Sequence, residues 1–335
     1  MKKLIIFDAD SIIFTVAWHF RTKKVANLVK MSTNKFIADV LKHSNANDYI
    51  GFFGAKSEDD AEFKPNFRNE VYSGYKANRP PTPDFVQKWR PVIHKEFEET
   101  WGFLPVEAME ADDAVAIAVE KHRKDYDEII VATFDKDLKQ IPNVVFYNMR
   151  EHKMEDITKD AANKNFYIQM LMGDSSDNVP GLKGVGKVGA QKILANCVTE
   201  YSLFRTTVKE YKKSADYVAD KKLVEMTKEV MAMLNDVEVD STQSEYFGLT
   251  GAKLERKIRI NSKALIKDAI DDIMPGGWKA YFNQQYKLLR LLTQETEDIT
   301  IPVPQESEYH RPEGDVAAAA RALTGVDDMD NFLTF

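Results

Sequence analysis

The sequence predicts an α/β fold: a mostly parallel central sheet, followed by a region built of helices. Three observations predict it. Two short apolar runs, one from Leu4 to Phe7 and one from Ile129 to Phe134, each stop at an aspartate, Asp8 and Asp135. Runs of this kind alternate with helical patterns through the first 160 residues, and such alternation argues for parallel strand pairing. Beyond about residue 160 the apolar residues recur at helical spacing with little strand signal.

Residues 1–8 read as a strand ending in Asp8, and an apolar helix from Ile12 to Phe20 follows. Residues 49–53 read as a second buried strand, because strands covered on both faces lose the polar alternation. Residues 56–70 are polar and loop-like, and residues 71–100 are basic and aromatic, interrupted by Pro80-Pro81-Thr82-Pro83. A helix over 110–123, a strand over 129–134 and a strand over 144–147 complete the first part. Ligands of parallel sheets bind beyond the carboxyl ends of the strands, and Asp8 and Asp135 fall at such ends. Helical spacing then covers 205–240 and 253–295, with a Pro- and Glu-rich linker at 301–314. The last twenty residues hold a short Ala-rich helix candidate and an acidic-aromatic terminus. The division expected is a core over 1–160, a helical region over 161–300 and a linker with tail over 301–335.

A chain of 335 residues, 44% hydrophobic and 30% charged, holds one large or two modest globular domains. The single cysteine, Cys197, excludes an internal disulfide and fits a reducing cytoplasm. The first apolar run is too short for a signal peptide, and no run is long enough to span a membrane. A net charge of −7 argues at first against a nucleic-acid partner. Residues 301–335, however, hold seven acids and two bases, which leaves the preceding 300 residues near −2. Acids covered by metal would leave that body basic, and basic residues cluster locally, so a basic track is compatible with the acidic total.

Carboxylates carry most of the chemistry. Glu110-Ala111-Asp112-Asp113 opens a helix, and Asp174 and Asp177 stand three apart before a Gly-rich hairpin. Asp8 and the pair Asp135 and Asp137 add two further sites. Acids in a first helical turn are common for dipole reasons alone. Four separated acidic sites are harder to dismiss, because like charges about 6 Å apart cost ~2–3 kcal/mol at an effective dielectric near 20. Divalent cations remove that conflict, and a carboxylate-only donor set with no matching His or Cys suits two magnesium or manganese ions. A competing reading exists. Asp8-Ala9-Asp10 after a strand, with Gly173-Asp174 and Asp177 later, nearly matches the haloacid-dehalogenase-type phosphatases. That reading gives no role to Glu110, Asp135, Asp137 or the hairpin.

Gly184-Val185-Gly186-Lys187-Val188-Gly189 satisfies a dinucleotide fingerprint, but it follows a Pro-containing loop and not a strand. It also misses the hydroxyl of a phosphate loop, since Val188 follows Lys187. A helix-hairpin-helix over about 173–195 fits better, with Lys183, Lys187 and Lys192 beside glycine N–H groups that can approach a DNA phosphate. Tyr72, Tyr75, Lys76 and Arg79 mix aromatics and bases. They read either as a solvated helix face or as a clamp in which tyrosines stack bases and Lys76 and Arg79 neutralise the scissile phosphate. The six histidines have no ligand spacing. The tail residues Met329, Phe332, Leu333 and Phe335 are apolar groups in an acidic setting, which suits docking into a partner's groove, and the alternative is a solvated end.

Assembled, these motifs resemble the flap endonuclease/5′-nuclease family over roughly residues 3–295. The family includes the 5′-nuclease domain of bacterial DNA polymerase I and phage-encoded 5′-to-3′ exonucleases. The resemblance rests on the strand before Asp8, Tyr75-Lys76 with Arg79-Pro80-Pro81-Thr82-Pro83, the Glu110–Asp113 cluster, Asp135-Lys136-Asp137-Leu138, and the segment from Gly173 to Gly186. It implies a PIN-like core, a helical arch over about 68–100, and hydrolysis of phosphodiesters near a DNA 5′ end in replication, primer removal or DNA degradation. It further implies Asp8, Glu110, Asp112, Asp113, Asp135, Asp137, Asp174 and Asp177 as metal-binding acids, Lys76 and Arg79 as arch bases, and a potassium ion at the hairpin. The expected partners are DNA with a 5′ end or flap, or an RNA–DNA hybrid. A sliding clamp or single-strand-binding protein is expected at the tail, and the chain is expected to be a monomer. The family's usual aspartate at the end of the second strand falls on Gly54, so either Glu58, Asp59 or Asp60 reaches in from the following loop or the site lacks that ligand. A non-catalytic, structure-specific DNA-binding protein is the alternative to an enzyme.

Overall fold

The first apolar run forms β1 (Lys3–Asp8), whose residues from Leu4 onward are buried on both faces. The computed structural model describes residues 1–22, 25–55, 66–235, 242 and 244–294. Around β1 lie β2 (Asp48–Gly54), β3 (Leu104–Val106), β4 (Glu128–Thr133), β5 (Val144–Asn148) and β6 (Lys153–Ile157). They make one six-stranded sheet in the order β3-β2-β1-β4-β5-β6. Pairing is parallel from β3 through β5, and only β6 runs antiparallel, at the edge. Parallel pairing brings the carboxyl ends of β1, β2 and β4 to one rim of the sheet.

Both faces are covered, as a parallel sheet requires. On one side α1 (Asp10–His19), α2 (Ala26–Ser44) and α4 (Asp84–Glu99) share a core with Ile5, Phe7, Phe53 and Ile130. On the other, α5 (Ala111–His122) packs Val115 and Val119 against Leu4, Ile6 and Val131. The elements α2, β3 and β6 are among those unread in the sequence. In α2 the buried positions Val29, Thr33, Ile37, Val40 and Ser44 recur at intervals of three and four, so the helical signal was present. β3 has only three residues and β6 is exposed at four of five positions, so neither carries strand patterning.

The helical arch expected over 68–100 is corrected in part. In α4, Val86, Trp89, Ile93 and Phe97 are buried, and Trp89 Nε1 donates to the Phe20 carbonyl at 3.0 Å. Their spacing of three and four builds one apolar face, which the core takes up. The turn between α3 (Phe67–Val71) and α4 meets the acidic loop, where the Lys76 N–H donates to the Asp177 carbonyl.

The second part is helical, as read: α6 (Lys159–Met172), α7 (Lys187–Ile193), α8 (Glu200–Leu234), α9 (Gly251–Asn261), α10 (Lys263–Asp271) and α11 (Gly277–Leu289). Leu171, Leu182, Ala190, Leu194, Phe204, Tyr211 and Phe282 form its main core. The turn between α6 and α7 needs glycine at two places. Gly173 (φ +72°) and Gly181 (φ +61°) are in the left-handed region, and a Cβ on either would meet the other's backbone within 2.5 Å. Among the described residues no helix is long and apolar enough to cross a membrane.

Candidate metal and nucleic-acid site

At the rim, Asp8 is held rigidly. Its Oδ2 accepts from Thr133 Oγ1 at 2.6 Å and from Ser11 Oγ at 2.5 Å, and the residue is 3% exposed. Thr133 also accepts from the Asp135 N–H at 2.8 Å, so one hydroxyl couples the ends of β1 and β4. Asp135 in turn accepts from the Asp137 N–H at 2.8 Å. Burial pushes the carboxyls of Asp8 and Asp135 above the ordinary range, assisted in each case by neighbouring acids. Burial and the charges of Asp135 and Asp174 push Asp137 up to about 8.

The helix α5 contributes from its first turn. Burial alone would raise Glu110, but Lys76 and Arg68 outweigh it and its carboxyl falls to about 2. Asp112 has no such help. Burial and the charges of Asp8, Asp135 and Glu110 raise it well above the ordinary value. Glu110 Oε1 accepts from Asn66 Nδ2 at 2.7 Å and pairs with Lys76 Nζ at 2.8 Å.

Asp113 is corrected from the expected metal set. It is wholly buried. Its oxygens accept from Arg68 Nη1 at 2.6 Å, Arg68 Nη2 at 2.9 Å and the Leu292 N–H at 3.0 Å. Arg68 also donates to the carbonyls of Leu288 and Arg290, so the pair ties α5 to the chain after α11. Residues one apart on a helix point in different directions, which separates Asp112 from Asp113.

The basic turn lies on the second acidic loop. The Lys76 N–H donates to the Asp177 carbonyl at 2.9 Å, Asn178 Nδ2 to the Gly74 carbonyl at 2.7 Å and Asn78 Nδ2 to the Ser175 carbonyl at 3.2 Å. Arg79 pairs with Asp177 at 2.5 Å, and Lys76 Nζ lies 4.0 Å from it. Lys76 has φ +57°, a conformation lysine rarely adopts and one held here by these contacts.

Tyr75 is corrected as a base-stacking residue. It is 4% exposed, and its hydroxyl oxygen lies 3.1 Å from Glu110 Oε1 and 2.9 Å from Asp177 Oδ2, so its one proton sits between the two carboxylates. It bridges two acidic segments from within the core. Tyr72 is half-buried against the helical core. Lys183, Gly184, Gly186, Lys187 and Lys192 are exposed and Gly189 is half-exposed, and a Cβ at Gly184 or Gly186 would meet nothing.

The acidic residues from four segments thus come to one rim, but among the described residues no three already enclose an ion. The donor chemistry nevertheless fits hard divalent cations: oxygen ligands only, and burial, joined by the charges of neighbouring acids, that raises Asp8, Asp112, Asp135 and Asp137. Sequence reasoning missed Ser11, Asn66, Arg68, Thr133 and Gln169, whose Nε2 donates to Asp137 Oδ1, because hydroxyl, amide and buried guanidinium partners leave no local signature. Glu58, Asp59, Asp60 and the tail residues Met329, Phe332, Leu333 and Phe335 lie outside the described residues.

The family described as 5′-3′ exonuclease, N-terminal resolvase-like domain, matches residues 3–167. DNA polymerase I of Caldicellulosiruptor bescii is 30% identical over 215 residues, which is 57% of this chain and 24% of that protein. The thermostable DNA polymerase I of Thermus aquaticus is 34% identical over 150 residues, 39% of this chain and 17% of that one. A 5′-3′ exonuclease of Aquifex aeolicus is 28% identical over 192 residues, 53% of this chain and 64% of that protein. The chain therefore spans about a quarter or less of the polymerases it matches. Among solved structures, the T5 5′-exonuclease with bound zinc shares the fold, with a TM-score of 0.50 and 16% identity over 87% of this chain and 99% of that one.

Proposed function

Because residues 3–167 belong to the 5′-3′ exonuclease N-terminal resolvase-like domain family, we propose that the chain is a metal-dependent 5′-to-3′ exonuclease and flap endonuclease. It hydrolyses phosphodiesters near DNA 5′ ends. The observation that carries the reading is the rim itself, where Asp8, Glu110, Asp112, Asp135, Asp137, Asp174 and Asp177 meet two paired bases, Lys76 and Arg79. The phosphatase reading assigns work to Asp8, Asp10, Asp174 and Asp177 alone, and the family match includes the acids it leaves idle.

The seven acids would hold magnesium or manganese, which would supply activation of a water and stabilisation of the leaving oxygen. Asp8 is oriented for this by Thr133 and Ser11, and Asp135 by the same threonine. Lys76 and Arg79, paired here with Glu110 and Asp177, are the donors placed at the rim for the scissile phosphate. Tyr75 bridges Glu110 and Asp177 through its hydroxyl and so holds the two acidic segments together. The exposed turn with Lys183, Gly184, Gly186 and Lys187 grips the duplex backbone, with potassium as the counter-ion at that turn, and Lys192 extends the basic track. Primer removal during replication, including RNA–DNA hybrids, is the biological setting proposed.

A 5′-flap oligonucleotide tests the reading. Cleavage with magnesium and none with EDTA is the expected result, and Asp135→Asn is expected to abolish cleavage while DNA binding survives. Cleavage by that variant at the wild-type rate refutes the assignment.

A further inference from the structure

Asp10 belongs to no role described so far. It opens α1, two residues after Asp8, and its side chain reaches solvent at the same rim. Its carboxylate is held across the sheet edge: Oδ1 and Oδ2 lie 3.1 and 3.2 Å from the Gly54 N–H, at the end of β2. Gly54 brings no side chain of its own, and among the described residues the carboxylate that hydrogen-bonds to the end of that strand is the one Asp10 delivers. Asp10 stands close enough to Asp8 for the two charges to oppose each other, and Lys76 and Arg90 act on it from further away. Among the described residues no cation closes to ion-pair distance on it.

An acid in a first helical turn needs no special role, since the dipole favours it. Here the placement goes further than that. A carboxylate serving the dipole has no reason to lie against a second strand and beside another acid, where repulsion counts against it. Held by a single bifurcated N–H, it keeps most of its acceptor capacity free toward the rim. Hard divalent ions take six or more oxygen ligands, and acidic ligands lying on one rim are completed by one on the flank beside Asp8.

We propose that Asp10 is a further carboxylate ligand of the metal centre, supplying from the end of β2 the negative charge that Gly54 does not carry. This rests on the metal-dependent reading above. The test is a manganese titration of the full chain followed by electron paramagnetic resonance, comparing wild type with Asp10→Asn. Asparagine retains an acceptor for the Gly54 N–H and removes only the charge. Manganese affinity of the variant is expected to fall roughly tenfold or more, as loss of an outer partner or ligand does. Its melting temperature in EDTA is expected to stay at or above that of wild type, because a charge opposing Asp8 has gone. Manganese affinity within twofold of wild type, or a melting temperature in EDTA well below it, reduces Asp10 to a structural cap on β2 and overturns the proposal. Absence of saturable manganese binding by the wild type overturns the metal-dependent reading itself, and this inference with it.

Discussion

Replacing Asp113 by alanine should destabilise the chain without regard to metal. The residue is fully buried and takes three hydrogen bonds, two from Arg68 and one from the Leu292 N–H. Removing it strands a guanidinium whose own side chain is 3% exposed. Breaking a buried pair by deleting one partner costs ~3–5 kcal/mol, because the other charge stays behind without water. With an unfolding entropy of about 2.1 cal/mol/K per residue over the described part of the chain, that corresponds to a melting temperature lower by roughly 5–9 °C. Calorimetry or circular dichroism in EDTA and again in excess magnesium reads it. The drop should be equal in both, since Asp113 faces Arg68 and not the rim. An unchanged melting temperature in EDTA, with a smaller rise on adding magnesium, would refute the reasoning and return Asp113 to the metal ligands.

Three further outcomes follow from the same geometry. Lys76→Ala should lower the single-turnover cleavage rate by ~10²–10³ while changing affinity little; a loss confined to affinity, steeper at low salt, would make Lys76 an ordinary backbone contact. In EDTA the protein should lose stability as pH rises from about 4 to about 8: Asp8, Asp112 and Asp135 titrate above the ordinary value and Asp137 near 8, so the folded chain holds protons that the unfolded chain has released. Magnesium should flatten that dependence, and a melting temperature in EDTA that rises over the same range would contradict it. Gly186→Phe should leave the melting temperature unchanged, since a Cβ there meets nothing, while weakening binding to duplex-containing DNA more than to single strands; equal weakening on both would remove the turn from the duplex contact.

The sequence by itself determined the four central strands β2, β1, β4 and β5, the helical second part and most of the acids at the rim. Buried parallel strands must be apolar on both faces, so the runs before Asp8 and Asp135 could be read as strand ends, and parallel pairing then brings such ends to one side. It did not determine which acids face the rim. Asp112 and Asp113 are neighbours of identical type, and only the rotation of α5 against the sheet turns one toward Asp8 and the other onto Arg68, 45 residues away in sequence. Nor could it determine that α4 belongs to the core, because an amphipathic face fits a core as well as a partner. Tyr75 looked like a stacking platform from composition. Only tertiary packing buried its ring and left its hydroxyl to two acids from segments 35 and 102 residues distant. Local chemistry is written in a short stretch of chain; the partner of a buried charge is chosen by the whole fold, since desolvation makes every such group find one wherever it lies.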